Sequence, residues 1–400
     1  MIRSIDGGVT APAGFRAAGV RCGIKKADLD LALLVADGPV SAAGVFTTNQ
    51  VQAAPVLVAK DHLARSGHVA TAVVVNSGCA NACTGPAGLD AAREMAAETG
   101  RRLGCPPEQV LVASTGVIGV ALDLAKVRAG IAEAAGRLSR DGHADAARAI
   151  MTTDPWPKSH AVTVDSPAGR FTVGGMAKGS GMIEPSLATM LAFLTTDANV
   201  EPLRLQRALG EAVADTFNAI TVDGECSTND AVIALASGSS RVTIDEAAYP
   251  ALVAGMRAVA RELAVAIVRG GEGATKLVTV RVIGADSTAA ARQAARTIAN
   301  SLLVKTAVHG GDPNWGRLVA AAGRAGVVFV PERAAVRVGG VELFRDGLPH
   351  DDRAPAAAAH LRGTDIAIEI DLGAGGPGEA TVWTCDLSAE YVRINAEYRT

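Results

Sequence analysis

The chain has 400 residues, with 38 Lys and Arg against 41 Asp and Glu and a formal net charge of −3 at pH 7. The near-balance of charge argues against a dedicated nucleic-acid binder, which needs a basic face, and the length suggests two or three packed units. Hydrophobic residues make up 49% of the chain and aromatic residues only 3%. We therefore expect an ordered, aliphatic core without stacking platforms for bases.

The N-terminus has no apolar segment of the kind found in signal peptides, and no run reaches the ~18 apolar residues of a membrane helix. The sequence therefore predicts a cytoplasmic protein without a membrane partner. Six cysteines are ordinary usage, and the Cys79–Cys83 pair is not followed by a second pair at metal-ligand spacing. We predict buried free thiols and no metal site.

Strand and helix patterns alternate along the chain, which predicts an α/β or α+β fold with layered sheets. The predicted strands are Leu31–Ala36, Ala70–Val75, Val110–Ala113, Met190–Leu194, Ala231–Ala236, Leu277–Ile283, Gly326–Val330 and Ile366–Leu372. The predicted helices are Asp90–Leu103, Leu124–Leu138, Glu201–Phe217, Glu246–Val268 and Thr288–Val304. After Leu277 the pattern changes to strands joined by Gly- and Asp-rich turns, and residues from about 280 to 400 are predicted to form a smaller C-terminal unit.

The last predicted helix shows the local signals most clearly. Ser287 is a candidate N-cap for Thr288–Val304. The apolar side chains expected on the buried face are Ala291, Ala294, Ala295, Ile298 and Leu302.

Common catalytic signatures are absent from the sequence: it has no G-x-x-x-x-G-K-[ST], no helix-opening G-x-G-x-x-G, no G-x-S-x-G and no H-E-x-x-H. What the chain has instead is a set of polar loops made of small residues. These loops are Asn76–Gly85, Ser114–Gly116, Met151–Asp154, Asp223–Asp230 and Gly310–Arg317. Loops of this composition can direct backbone N–H groups at an oxyanion or ligand, although each alone could be a simple turn or cap.

A Gly-rich stretch that contains Lys178 leads into an apolar strand, and Thr189 stands at the junction. A Thr at the start of a strand can be a β-branched packing residue and nothing more. Alternatively, cleavage before Thr189 would place its hydroxyl beside a new α-amine. That amine could act as general base, so no His would be needed for acyl transfer.

Together these residues resemble the ornithine acetyltransferases, the glutamate N-acetyltransferases of arginine biosynthesis, over nearly the whole chain. The blocks that carry the resemblance are Val9–Phe15, Asn76–Gly85, Ser114–Gly116, Met151–Asp154, Gly174–Lys178, Pro185–Thr189, Cys226–Asp230, Glu272–Lys276 and Asp312–Arg317. The Ala-Thr-Met-Leu junction at Thr189 is the most specific of them.

The resemblance implies self-cleavage between Ala188 and Thr189, which gives an alpha chain of residues 1–188 and a beta chain of residues 189–400. The freed Thr189 would be the nucleophile, and Thr115 and Gly116 match the family's oxyanion-hole pair. The positions that match substrate-binding residues are Thr152, Lys178, Thr189, Glu272, Asn395 and Thr400.

Two of these side chains have an evident chemical use. Lys178 would face the amino-acid carboxylate or tune the nucleophile, and Glu272 would pair with the ornithine ammonium. The structural alternatives are a surface lysine at 178 and a helix-end charge at 272.

The resemblance further implies ping-pong transfer of acetyl from N2-acetyl-L-ornithine to L-glutamate through acetyl-Thr189, without a cofactor. It also implies layered sheets flanked by helices and a heterotetramer of two alpha and two beta chains. Whether acetyl-CoA is also a donor stays open. An autoprocessed aminopeptidase or amidase of similar architecture, and a non-enzymatic protein that kept this fold, are the alternatives.

Overall fold

The computed structural model describes residues 1–184 and 190–397. The predicted cleavage residues Ala188 and Thr189 and the predicted substrate residue Thr400 lie outside the described residues. The chain divides into two compact units, which are described separately. The first comprises Met1–Asn218 and Glu225–Ile267, and the second comprises Ala219–Gly224 and the described residues from Val268 onward. The predicted chain boundary at 188/189 and the predicted smaller unit from about 280 stay predictions.

The first unit is built on one mixed sheet. Its strands are β1 Ile2–Ile5, β2 Phe15–Val20, β3 Leu31–Phe46, β4 Val69–Cys79, β5 Val110–Val117, β6 Lys158–Ser166, β7 Gly169–Lys178, β8 Leu191–Thr196 and β9 Ala231–Ala236. The strand order is β1-β6-β7-β8-β9-β3-β4-β5, with β2 paired to β3. The pairs β4–β5 and β8–β9 are parallel, and the other pairs are antiparallel.

Helices lie on both faces of this sheet. They are α1 Ala54–Arg65, α2 Gly85–Leu103, α3 Leu124–Gly136, α4 His143–Ala149, α5 Pro202–Ala214 and α6 Tyr249–Arg269, the last of which ends in the second unit. Successive side chains of a strand point to opposite faces, so Leu33 packs with Met95 and Ile131 while its neighbour Leu34 packs with Ile150. The sheet is therefore buried on both faces, as the near-continuous apolar runs of its strands require.

The second unit has its own sheet and helices. The strands are β10 Leu277–Ala285, β11 Ala335–Val338, β12 Val341–Arg345, β13 Leu348–Pro349, β14 Asp365–Asp371 and β15 Gly378–Cys385, in the order β13-β12-β11-β14-β10-β15. The helices are α7 Thr288–Ala299, α8 Leu302–Gly310, α9 Trp315–Gly323, α10 Ala354–Leu361 and α11 Ala389–Glu397. Short 3₁₀ turns occupy Pro107–Gln109 in the first unit, Phe217–Ala219 at the point in the sequence where the first unit gives way to the second, and Asp351–Arg353 in the second unit. The two sheets with their helices confirm the predicted layered α/β fold.

The structure corrects one predicted helix. Ser287 caps α7 by accepting a hydrogen bond from the backbone N–H of Ala290 at 3.2 Å, as predicted. The predicted helix Thr288–Val304, however, ends at Ala299, and a new helix starts at Leu302. Because the backbone leaves the helical conformation at Ser301, with φ −70° and ψ 113°, Leu302 does not continue the buried face and is 66% exposed.

The predicted strand Gly326–Val330 is wrong. Gly326 adopts a left-handed φ of 71°, which interrupts an extended chain. The segment bends, and the N–H of Val330 donates a backbone hydrogen bond to the carbonyl of Leu372, the residue that follows β14. Its apolar side chains Val327 and Phe329 are partly buried against the core, which explains why the pattern is like that of a strand.

Candidate active site

The predicted oxyanion residues Thr115 and Gly116 lie at the end of β5, beside the end of β4. The two strands run parallel, with Thr115 opposite Ser77 and Gly116 opposite Gly78. Gly116 has a φ of 126°, and a Cβ at this position would lie 2.4 Å from the carbonyl carbon of Gly78. Only glycine fits there, because a side chain would collide with backbone that cannot move aside.

Buried hydrogen bonds connect three of the predicted polar loops. Ser114 Oγ donates to Asn76 Oδ1 at 2.6 Å. Asn229 Nδ2 donates to the carbonyls of Ala80, at 2.6 Å, and of Ser114, at 2.9 Å. The loops after β4 and β5 and the loop before β9 therefore form one polar cluster at the strand ends.

Lys178 brings two further predicted residues to this cluster. It ends β7 and is buried, with 6% of its surface exposed, so the alternative of a surface lysine is wrong. Its Nζ donates to Thr152 Oγ1 at 2.8 Å and to Thr115 Oγ1 at 3.1 Å. The structure thus places Thr115, Gly116, Thr152 and Lys178 together.

An ion pair that the sequence analysis did not single out lies behind these residues. Lys158 Nζ donates to Asp154 Oδ1 at 2.6 Å, and neither side chain is exposed. Burial alone raises the pKa of the Asp154 carboxyl, but the charges of Lys178 and Lys158 and the Gly179 N–H outweigh it and lower this pKa from 3.8 to about 2. Asp154 belongs to the predicted block Met151–Asp154. The one sequence signal for its pairing with Lys158 is their spacing of four residues.

A second buried carboxyl group, Asp230, adjoins Met190. The parallel register of β8 and β9 puts Met190 next to it, and the N–H of Ala231 donates to the Met190 carbonyl at 3.1 Å. Complete burial raises the pKa of Asp230 well above its usual value, although the Met190 N–H and the charge of Lys178 oppose this. Within the part of the chain that the structure describes, Asp230 Oδ2 has no hydrogen-bond partner.

Two other predicted residues, Glu272 and Asn395, contact each other in the second unit. Glu272 is buried at 8% exposure, and Asn395 Nδ2 of α11 donates to Glu272 Oε2 at 2.9 Å. Glu272 is followed by Gly273, whose φ is 68° and whose Cβ, if present, would lie 2.4 Å from the backbone nitrogen of Tyr391. This turn places the carboxylate against α11, so the alternative of a simple helix-end charge does not describe it.

Asp386 fixes the loop that carries Glu272. Its Oδ1 accepts the N–H groups of Thr275 and Lys276 at 2.8 and 2.9 Å, and its Oδ2 accepts the Thr275 hydroxyl at 2.5 Å. His309 Nδ1 lies 2.7 Å from the same Oδ2. Burial would raise the pKa of Asp386, but these hydrogen bonds lower it. No sequence pattern pointed to Asp386, which lies 114 positions after Glu272 and outside every block named above.

The described residues form neither a metal-binding cluster nor a membrane-spanning helix. Over residues 1–184 and 190–397, no group of three or more His, Cys, Asp or Glu side chains is arranged to hold a metal ion. Cys79 is buried but Cys83 is exposed, so the expected burial of both thiols is wrong for Cys83. Among the helices formed by these residues, none is long and apolar enough to cross a bilayer.

The fold and the clustered hydroxyl, amide and lysine groups define a mixed α/β protein with a polar site at the ends of its strands. A model of the ArgJ family matches residues 16–400. The chain therefore belongs to the ArgJ family, which confirms the resemblance found in the sequence.

Two curated relatives match nearly the whole chain, and one solved structure matches about half of it. The chain is similar to the arginine biosynthesis bifunctional protein ArgJ of Thermosynechococcus vestitus, at 49% identity over 100% of this chain and 99% of the relative. It is similar to the protein of the same name from Symbiobacterium thermophilum, at 50% identity over 99% of both chains. A crystal structure of ornithine acetyltransferase complexed with ornithine from Mycobacterium tuberculosis is 44% identical, covers 48% of this chain and 100% of that chain, and gives a TM-score of 0.43.

Proposed function

We propose that this protein is an ornithine acetyltransferase of arginine biosynthesis, which moves the acetyl group of N2-acetyl-L-ornithine to L-glutamate. The observation that carries the proposal is family membership over nearly the full chain with relatives named for arginine biosynthesis. The cluster of Thr115, Thr152 and Lys178 supports it, because a buried ammonium beside hydroxyl groups suits a reaction that develops an oxyanion.

The proposed reaction has two half-reactions at one nucleophile. The Thr189 hydroxyl attacks the acetyl carbonyl, its proton passes to the α-amine, and Thr115 and Gly116 stabilise the oxyanion. The C–N bond then breaks and ornithine leaves with that proton, so that an acetyl ester remains on Thr189. The amine of L-glutamate attacks this ester, and the Thr189 hydroxyl is restored.

The remaining assignments are part of the same proposal. Lys178 and Thr152 would hold the reacting amino acid or tune the nucleophile, and Glu272, Asn395 and Thr400 would bind the ornithine side chain or lie at the pocket rim. The relatives' name includes the word bifunctional, which supports testing acetyl-CoA as a second donor. No other cofactor is proposed, and the cytoplasmic location and the heterotetramer stay predictions.

Self-cleavage is the first test. Intact-mass spectrometry of the purified protein should show two fragments, the second beginning Thr189-Met190-Leu191. Thr189→Ala should leave a single uncut and inactive chain, whereas the exposed Thr364→Ala should be cut and active like the wild type. Cleavage of Thr189→Ala at the normal rate would remove Thr189 as the nucleophile.

The products decide between transfer and hydrolysis. With N2-acetyl-L-ornithine and L-glutamate present, the proposal expects acetylglutamate and parallel lines in double-reciprocal plots of initial rate. Release of acetate without acetylglutamate would favour the autoprocessed amidase. An intact chain without turnover would favour a non-enzymatic protein.

A further inference from the structure

The Asp154 carboxylate joins three separate pieces of the site. Besides the ion pair with Lys158, it accepts the N–H of Thr152 at 3.1 Å on Oδ2 and the N–H of Gly179 at 2.7 Å on Oδ1. Thr152 carries one of the hydroxyl groups bound by Lys178, and Gly179 directly follows Lys178. One carboxylate therefore fixes the backbone on both sides of the Lys178–Thr152 hydrogen bond.

An anion at this place would compete for the ammonium of Lys178. The charges of Lys178 and Lys158 both act on Asp154. Asp154 in turn acts on Lys25, where burial outweighs the nearby carboxylates and lowers the pKa. Nevertheless Lys178 Nζ donates to the neutral hydroxyls of Thr115 and Thr152. The ammonium that neutralises Asp154 at hydrogen-bond distance is that of Lys158.

Stability does not explain why the pair is there. Two charges lose their hydration when they are buried, and a buried ion pair is often no more stabilising than apolar side chains of the same volume. Lys158 makes its other hydrogen bond, at 3.4 Å, to the carbonyl of Trp156 and, among the described residues, none to the two threonine hydroxyls. Its contacts therefore point to a role exerted through Asp154.

We propose that Asp154 and Lys158 are a pair of positioning residues for the acetyl-transfer site. Asp154 holds the backbone of Thr152 and Gly179, and Lys158 neutralises Asp154 so that the Lys178 ammonium stays on the Thr115 and Thr152 hydroxyls. This inference rests on the proposed function and adds two residues to it. Neither residue touches the reacting atoms.

Acetylglutamate formation measured in a double-mutant cycle tests the pair. Lys158→Met roughly keeps the length of the side chain but removes the ammonium that pairs with Asp154. The Asp154 carboxylate should then attract the Lys178 ammonium away from the threonine hydroxyls, which should lower kcat/KM by about 10- to 100-fold. Asp154→Asn removes the anion, and the double variant Asp154→Asn/Lys158→Met should have at least about fivefold higher kcat/KM than Lys158→Met alone. Lys126→Met, at an exposed lysine 3.6 Å from Asp123, is the control and should stay within about twofold of wild type.

The proposal can still be tested if Lys158→Met fails to fold, by comparing Asp154→Asn with the double variant. In the Asp154→Asn background, removal of Lys158 should then change kcat/KM by less than about twofold, because Lys158 acts only through the Asp154 charge. An equal loss in both backgrounds, or a double variant no more active than Lys158→Met, would overturn the proposal. A wild-type protein that forms no acetylglutamate would instead remove the proposed function, and this inference with it.

Discussion

Asp154 in the first unit and Asp386 in the second unit perform the same task with different partners. Each carboxylate accepts two backbone N–H groups of segments that carry predicted substrate residues. Asp154 is balanced by Lys158, whose side chain is completely buried. Asp386 is balanced by the Thr275 hydroxyl and by His309, whose side chain is 41% exposed. The free-energy cost of removing each carboxylate should therefore depend on what stays behind, which is a buried ammonium for Asp154 and a hydroxyl with a partly exposed imidazole for Asp386.

The largest effect is expected for Asp154→Ala, because this change leaves the Lys158 ammonium buried without a partner. The free energy of unfolding should fall by about 3–5 kcal/mol in chemical denaturation. Asp165→Ala, on the strand β6 that follows Asp154 and in an exposed pair with Arg170, should cost less than about 1 kcal/mol. Equal losses for the two variants would contradict the distinction between buried and exposed pairs.

The same prediction has a pH dependence. A carboxyl whose pKa is lowered in the folded state contributes stability above its unfolded pKa near 3.8, and this contribution is lost as the pH falls through its folded value of about 2. The wild type should therefore lose about 2 kcal/mol from this group between pH 4 and pH 2 in chemical denaturation. Asp154→Asn should not show this part of the acid-induced loss.

A smaller effect is expected for Asp386→Asn. The amide keeps the shape of the side chain but weakens the charge-assisted hydrogen bonds to the loop of Glu272, so the variant should lose about 1.5–3 kcal/mol of stability. The KM for N2-acetyl-L-ornithine should rise by about tenfold if the loop positions Glu272 for the substrate. Asp365→Asn, in an exposed pair with Arg269, is the matched control and should leave KM unchanged. A change in kcat alone would show that Asp386 acts elsewhere.

The smallest effect is expected for Asn395→Ala. This change removes one hydrogen bond from an exposed residue to Glu272. The free energy of substrate binding should weaken by about 0.5–1.5 kcal/mol, which corresponds to about a two- to tenfold rise in the KM for N2-acetyl-L-ornithine. The control Arg393→Ala lies on the same helix, and its described ion pairs are with Glu390 and Glu397 of that helix, so the KM of this variant should stay at the wild-type value. If both variants raise KM equally, α11 as a whole and not the Asn395 amide is responsible.

The sequence by itself determined the layered α/β class, most helices and strands, and the family. Periodicity reports which face of an element is buried, and the Gly-rich blocks report backbone that must approach closely, as Gly116 does. The family resemblance also singled out Lys178, Thr115 and Thr152, and the structure places the Lys178 ammonium within hydrogen-bond distance of both threonine hydroxyls.

Only the tertiary structure decided which groups support these residues. Asp154 meets Gly179 because neighbouring strands β6 and β7 pair, and Asp386 meets Thr275 because β10 lies beside β15. Strand pairing between distant segments follows from packing of the whole core and leaves no local pattern in the chain. The end of α7 at Ala299 and the left-handed φ of Gly326 are likewise visible only in the structure, because apolar periodicity reports which face is buried and not where an element stops.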